Sequence, residues 1–115
     1  MQQNRILIAG ATGYVGGHIL NELKRRHYFV RAVVINPGKL KKIYVHADEV
    51  FEAEITRAQT LVNCCDTIDT VITSVGIARQ KDGLTYMDVD YQANLNLLNE
   101  AKKSGVKRFI LYFYF

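Results

Sequence analysis

What the sequence lacks narrows it first. There is no tryptophan, a single proline and only two cysteines in 115 residues. The lone proline, Pro37, rules out a proline-rich linker and leaves the helical and strand patterns elsewhere free to run uninterrupted. The cysteines, Cys64 and Cys65, are adjacent. Neighbours do not easily reach disulfide geometry, and no third or fourth ligand stands at metal spacing, so the reading is two buried free thiols in a reducing compartment. No apolar run approaches the roughly 20 residues of a membrane span. The opening residues turn polar and then enter a strand, so no signal peptide is read and cytoplasmic residence is expected.

Charge is equally short of a strong bias. Fifteen basic residues against 11 acidic ones leave a net charge of +4. The basic residues cluster at Lys24-Arg25-Arg26, Lys39 to Lys42, Lys102-Lys103 and Lys107-Arg108. Several of these are predicted helix ends, where a cation complements the helix dipole. No basic stripe interleaved with aromatics is present, so nucleic acid is not an expected partner. The apolar share of 49% supports a packed core, and the length fits one domain, residues 1–115.

What is present is concentrated near the start. The apolar run Ile6-Leu7-Ile8-Ala9 leads directly into Gly10-Ala11-Thr12-Gly13-Tyr14-Val15-Gly16-Gly17, and a helical pattern follows at once. Backbone N–H groups at a helix start have no partner within the helix and attract an anion, so glycines between strand and helix point to a bound phosphate. Gly10 and Gly13 would clear the sharp turn and the approach of the ligand, and Gly16 would let the helix lie close to the strand. The spacing is GxxGxxG rather than GxGxxG.

The rest of the chain alternates in the same way. A first strand from Arg5 to Ala9 precedes a helix from Tyr14 to His27, with Val15, Ile19, Leu20 and Leu23 on one face. A second strand, Phe29 to Ile35, ends at Asn36-Pro37-Gly38, and a short basic helix or turn spans Lys39 to Tyr44. Glu49 to Ile55 reads as a third strand. Thr56 with Gln59 has the form of a capping box opening a helix through Cys65, with Leu61, Val62 and Cys65 inward. Thr70 to Val75 is a fourth strand. The longest helix runs from about Tyr86 or Asp88 to Ser104, with Met87, Tyr91, Leu95, Leu98 and Ala101 on its inner stripe. Gly105 stops it, and Lys107 to Phe115 is a fifth strand. Strands alternating with helices imply an α/β, three-layer sandwich around a five-stranded parallel sheet, order 3-2-1-4-5, with right-handed crossovers.

In such a sheet a ligand lies across the carboxyl ends of the strands, where the strand order reverses. The candidate residues are therefore Gly10, Thr12, Gly13, Tyr14, Val15 and Gly16 on the glycine turn. Ile35, Asn36 and Lys39 follow the second strand, and the small-residue turn Ser74, Val75 and Gly76 follows the fourth. An acidic residue about 20 positions beyond the last glycine would hold the ribose 2′-hydroxyl of NAD. Here Val34-Ile35-Asn36 stands there with lysines beyond it, which removes the repulsion of a 2′-phosphate and favours NADP over NAD as the expected cofactor. His18, His27 and His46 stand isolated, with His27 read as a solvated cap residue.

Gly10 to Gly16, Thr73-Ser74-Val75-Gly76 and Asp90-Tyr91-Gln92-Ala93-Asn94 together resemble the short-chain dehydrogenase/reductase superfamily. More closely, the chain is similar to its atypical, NmrA-like NAD(P)-binding members, whose glycine turn reads GATGxxG. The resemblance implies a Rossmann-like fold, the GATG turn on the pyrophosphate and Glu54 and Ile55 near the adenine. It also implies Asn94 as a buried helix residue tied to the active-site strand. Members that prefer NADP often carry Arg at the position held by Ile35, a departure here. The family's catalytic Tyr-x-x-x-Lys is missing, since none of the seven tyrosines has a lysine four residues later. Tyr112 and Tyr114 read as strand residues. The expectation is an NAD(P)-binding domain of an oxidoreductase or sugar-nucleotide-modifying enzyme, truncated before its catalytic and substrate-binding part and lacking catalytic residues. The alternative is a non-catalytic dinucleotide-binding or redox-sensing NmrA-like protein. The apolar strand Phe109 to Phe115 is expected to associate chains as a homodimer or higher oligomer.

Overall fold

Five parallel strands build the sheet, and their register decides where the functional edge lies. A computed structural model describes residues 4–35, 47–75 and 84–112, with residues 84–90 described by their backbone alone. The strands are β1 (Arg5–Ala9), β2 (Phe29–Val34), β3 (Glu49–Glu52), β4 (Thr70–Thr73) and β5 (Arg108–Leu111). Their order is β3-β2-β1-β4-β5, as the alternating pattern predicts. Ala9 stands beside Val33 on one side and Thr73 on the other, and Val34 stands beside Glu52. Strands β1 to β4 therefore end nearly flush at one edge.

The central strands are mostly apolar because both faces are covered. Strand alternation divides β1 between two cores. Ile6 and Ile8 pack with Val30, Val34, Leu20 and Leu23 under helix α1 (Tyr14–Arg25). Leu7 and Ala9 pack with Val33, Leu61, Val71, Leu97 and Ala101 under helix α2 (Leu84–Lys103). The result is the expected Rossmann-like three-layer sandwich.

Several boundaries differ from the sequence reading, each for a physical reason. Helix α1 stops at Arg25 rather than His27, because His27 adopts the left-handed conformation at φ 66°. The His27 N–H then bonds the Lys24 carbonyl at 3.0 Å and the Tyr28 N–H bonds the Leu23 carbonyl at 3.1 Å. That is a Schellman closure with His where glycine usually stands. Strands β2, β3 and β4 end earlier than read, and Ile35, Glu54, Ile55, Ser74 and Val75 lie on the turns beyond them. The basic stretch Lys39 to Tyr44, and Tyr114 and Phe115 in the fifth strand, fall outside the described residues.

The helix expected from Thr56 through Cys65 is not formed. Only Ala58–Leu61 makes a turn of 3-10 helix, its N-cap is Arg57, and no side chain caps it. Two side chains take the backbone groups a helix would need. The Thr60 hydroxyl accepts from the Glu54 N–H at 3.0 Å and lies 2.8 Å from the Glu54 carbonyl and 2.7 Å from that of Arg57. Such local bonds compete with helix formation. Arg31 on β2 reaches the other end, donating through Nη1 to the carbonyls of Cys64 and Asp66, both at 2.8 Å. Its Nε pairs with Glu49 at 2.6 Å. With Asn63 left-handed at φ 71°, Val62 turns outward and Cys64 goes inward in its place.

Both cysteines are free and buried, with sulfurs 3.6 Å apart. Contact with the Cys65 sulfur, and then burial, holds the Cys64 thiol above its ordinary range. The inner stripe of α2 is also rotated from the expected one. Ala93, Asn96, Leu97, Glu100 and Ala101 are buried, Leu95 and Leu98 only half so, and Tyr91 is 70% exposed. The side chain of Met87 lies outside the described residues. Asn96 and Glu100 turn inward because each has a backbone partner there: the Ile55 carbonyl at 2.9 Å and the Asn63 N–H at 3.1 Å.

At the entry to β3, Asp48 accepts from Lys24 Nζ and from the Val30 N–H. Burial opposes its ionisation, but these bonds outweigh it and hold the carboxyl below its ordinary value of 3.8. A depressed carboxylate contributes stability above the unfolded-state pKa and loses it as pH falls through the folded value. The stability gap between the wild type and Asp48→Asn is therefore expected to be full at neutral pH, about 1 kcal/mol or less for so exposed a pair. It should close progressively below pH 3.8, as urea unfolding at a series of pH values would read.

Candidate dinucleotide site

The flush carboxyl edge gathers the turns on which the candidate residues lie. Gly10 leaves β1 at φ 90°, where an L side chain is strained. A Cβ there would also sit 2.5 Å from Ser74 Oγ. Gly16, in the first turn of α1, is packed more tightly still. Its Cβ would fall 1.9 Å from the Gly10 carbonyl oxygen and 2.9 Å from Ser74 Oγ. Ser74 is buried and fixed by its N–H to the Ala9 carbonyl at 3.0 Å. The end of β1, the start of α1 and the residue after β4 thus meet at one point.

Gly13 is different. Its backbone is extended, φ −80° and ψ 171°, and a Cβ would lie 3.5 Å from the Gly10 oxygen, an ordinary contact. Gly13 is the N-cap of α1, no side chain caps that end, and its first turn holds no acidic residue. The helix start therefore offers N–H groups and positive dipole to an acceptor from outside. Thr12, Gly13 and Tyr14 are exposed, and Val15 is half-buried. The Tyr14 ring, 83% exposed, meets the edge of His18 one turn on, with ring centres 4.6 Å apart.

The neighbouring strand ends carry the other candidates. Ile35 follows β2 and is 67% exposed, whereas Asn36 and Lys39 lie outside the described residues. Glu54 is exposed and Ile55 half-buried after β3. Val75 follows Ser74, and Gly76 lies outside the described residues. Ile35 and Glu54 share the edge with the glycine turn but no hydrogen bond with it among the described residues.

Helix α2 supports two of these turns. Asn94 is half-buried, as its tie to the fourth strand requires: Thr73 Oγ1 donates to Asn94 Oδ1 at 2.9 Å, and Asn94 Nδ2 donates to the Val75 carbonyl at 3.1 Å. Asn96, two residues on, holds the Ile55 carbonyl, and Gln92 Nε2 donates to Asn96 Oδ1 at 2.7 Å. Sequence reasoning missed the roles of Asn96 and Thr60. The polarity of Asn96 on a helix carries no signal of a partner 41 positions away, and Thr60 bonds to Glu54 and Arg57 in a stretch read as helix.

The arrangement can hold an elongated anionic ligand across the edge. Among the described residues no group of three or more His, Cys, Asp and Glu is placed to hold a metal ion. Nor is any helix among them long and apolar enough to cross a membrane. Since no rotation of an alanine Cβ at position 16 avoids the Gly10 oxygen, Gly16→Ala is expected to cost about 3 kcal/mol or more, against a gain of under about 1 in helix propensity. Denaturant unfolding would measure it.

A parallel sheet in this order, with a glycine turn between its first strand and first helix, defines an NAD(P)-binding Rossmann domain. The family model described as NAD(P)H-binding matches residues 10–114, and the chain belongs to that family. The wider likeness is to the short-chain dehydrogenase/reductase-like NAD-dependent epimerases and dehydratases. The photosystem II assembly factor Ycf39 of Synechocystis sp. is 29% identical over 108 residues, which cover 94% of this chain and 33% of that protein. The 3 beta-hydroxysteroid dehydrogenase/Delta 5-->4-isomerase of Mycobacterium tuberculosis is 29% identical over 115 residues, covering 92% of this chain and 30% of that one. Among solved structures, a mutated uronate dehydrogenase superposes with a TM-score of 0.77 at 25% identity, over 96% of this chain and 39% of its own. The chain spans about a third of the length of these curated relatives.

Proposed function

We propose that this chain is the dinucleotide-binding domain, residues 1–115, of an atypical, NmrA-like short-chain dehydrogenase/reductase, one that serves an NAD(P)-dependent oxidoreductase. The observation that carries the reading is Gly13. Gly10 and Gly16 are required by the fold, but nothing among the described residues requires glycine at position 13, where a Cβ would find ordinary space. A missing side chain at an uncapped helix start is what close approach of a pyrophosphate demands. Gly10, Thr12, Gly13, Tyr14, Val15 and Gly16 would hold the pyrophosphate. Glu54 and Ile55 would flank the adenine. Ser74, Val75 and Gly76 would let the adenosine half of the dinucleotide pass close to the backbone. Ile35, Asn36 and Lys39 would surround the adenosine ribose, where the lack of a carboxylate and the nearby lysine favour NADP over NAD. When bound, the nicotinamide supplies or accepts hydride, and the residues of this chain bind and orient it. Two buried reduced thiols suit a reducing compartment such as the cytoplasm.

Binding isotherms for NADH and NADPH test the site. Gly13→Val is expected to fold with little loss of stability and to abolish binding of both. Lys39→Glu is expected to weaken NADPH about tenfold while leaving NADH unchanged, the scale of one lost charge-assisted contact. A Gly13→Val protein that binds as the wild type does would overturn the assignment.

A second reading is a dinucleotide carrier or redox sensor without turnover of its own. Saturable NADPH binding with no carbonyl reduction by this chain distinguishes it from an enzyme.

The edge strand β5 suggests association. Ile110, Leu111 and Tyr112 are 47%, 39% and 39% exposed there. An uncovered apolar edge favours pairing with another chain, and a homodimer through this strand is the expected state. Sedimentation at micromolar concentration should give a dimer that Ile110→Lys converts to monomer; a wild-type monomer would refute it.

A further inference from the structure

The helix α2 carries a small polar device that the glycine turn does not explain. Asn96 is buried, and its two ends are used differently. Nδ2 donates to the Ile55 carbonyl at 2.9 Å, while Oδ1 accepts from Gln92 Nε2 at 2.7 Å. Gln92, one helical turn earlier, is exposed. The Ile55 carbonyl can only accept, so it fixes which way the Asn96 amide faces, and Gln92 then satisfies the amide oxygen that is left. The segment being held is tied locally at Glu54, whose N–H donates to the Thr60 hydroxyl at 3.0 Å and whose carbonyl accepts from the Arg57 N–H at 2.8 Å. The Ile55 carbonyl is held by Asn96, and among the described residues no strand pairing reaches it. A buried asparagine with both ends satisfied is a costly way to pin a turn that only needs covering, because leaving either partner unpaired carries a desolvation penalty.

We infer that Asn96, backed by Gln92, is a positioning residue that sets Ile55 in the turn after β3 to receive the adenine half of the dinucleotide. This rests on the proposed binding function. Asn94 does the corresponding task on the other side, holding Val75 after β4, so the two asparagines assign the two halves of the edge to one helix. Loss of the Asn96 bond frees the Ile55 carbonyl and displaces Ile55, while Glu54, held by Thr60 and Arg57, and the glycine turn, held by Gly10, Gly16 and Ser74, stay in place.

The two halves of the ligand separate this role from a merely structural one. ADP-ribose probes the adenine half with the pyrophosphate, and reduced nicotinamide mononucleotide probes the other half. Asn96→Ala is expected to weaken ADP-ribose and NADH about tenfold, the effect of one hydrogen bond lost with its acceptor left unpaired, and to leave reduced nicotinamide mononucleotide unchanged. Gln92→Ala, at an exposed position that does not threaten folding, is expected to weaken ADP-ribose a few-fold with the same selectivity. It decides the matter if Asn96→Ala does not fold. Equal loss for both probes, or unchanged ADP-ribose affinity in Gln92→Ala and in folded Asn96→Ala, would overturn the inference. A wild-type chain that binds none of NADPH, NADH and ADP-ribose would instead overturn the binding function on which it rests.

Discussion

The contact on which the structure most depends is the approach of Gly16 to the Gly10 carbonyl. A gap of 1.9 Å for a would-be Cβ leaves space for a hydrogen only, and Ser74 closes the same point from the fourth strand. This contact sets how near α1 lies to β1, and so places Leu20 and Leu23 over Ile6 and Ile8 in one of the two cores. It also sets the direction in which the helix start faces. Packing therefore requires glycine at positions 10 and 16, while position 13 has ordinary room for a Cβ. A glycine triplet in sequence does not reveal that division of labour; the distances do.

Much of the fold was legible because its determinants are local. The apolar runs of β1 and β2, the turn glycines and the alternation of helix with strand are each contained in short windows, and parallel crossovers leave few ways to order the strands. The failures have the opposite character. The stretch after Thr56 has a respectable helical pattern, but Arg31, more than 30 positions earlier, takes the carbonyls of Cys64 and Asp66. The inner face of α2 was misplaced because Asn96 and Glu100 look like surface residues until their backbone partners are known. His27 ended α1 by adopting a conformation that glycine would have advertised.

The site divides along the same line. The glycine turn could be read from its spacing and context. Where the turn after β3 sits, and what holds it, depends on Asn96, whose partner Ile55 is 41 positions away. The chain's membership of the NAD(P)H-binding family accounts for the common edge. The residues that tune one member's site are the ones a local pattern least describes.

Helix α2 also has a consequence for how the edge comes apart. Asn94 and Asn96 lie within a single turn, and one holds the segment after β4 while the other holds the segment after β3. Fraying that reaches this turn releases both segments in the same event, so they share one local opening equilibrium instead of two. Their amide protons would exchange with solvent at a common rate, although β3 and β4 are separated in the sheet by two strands. Order at the two ends of the ligand site is in that sense a single cooperative property of the helix behind it.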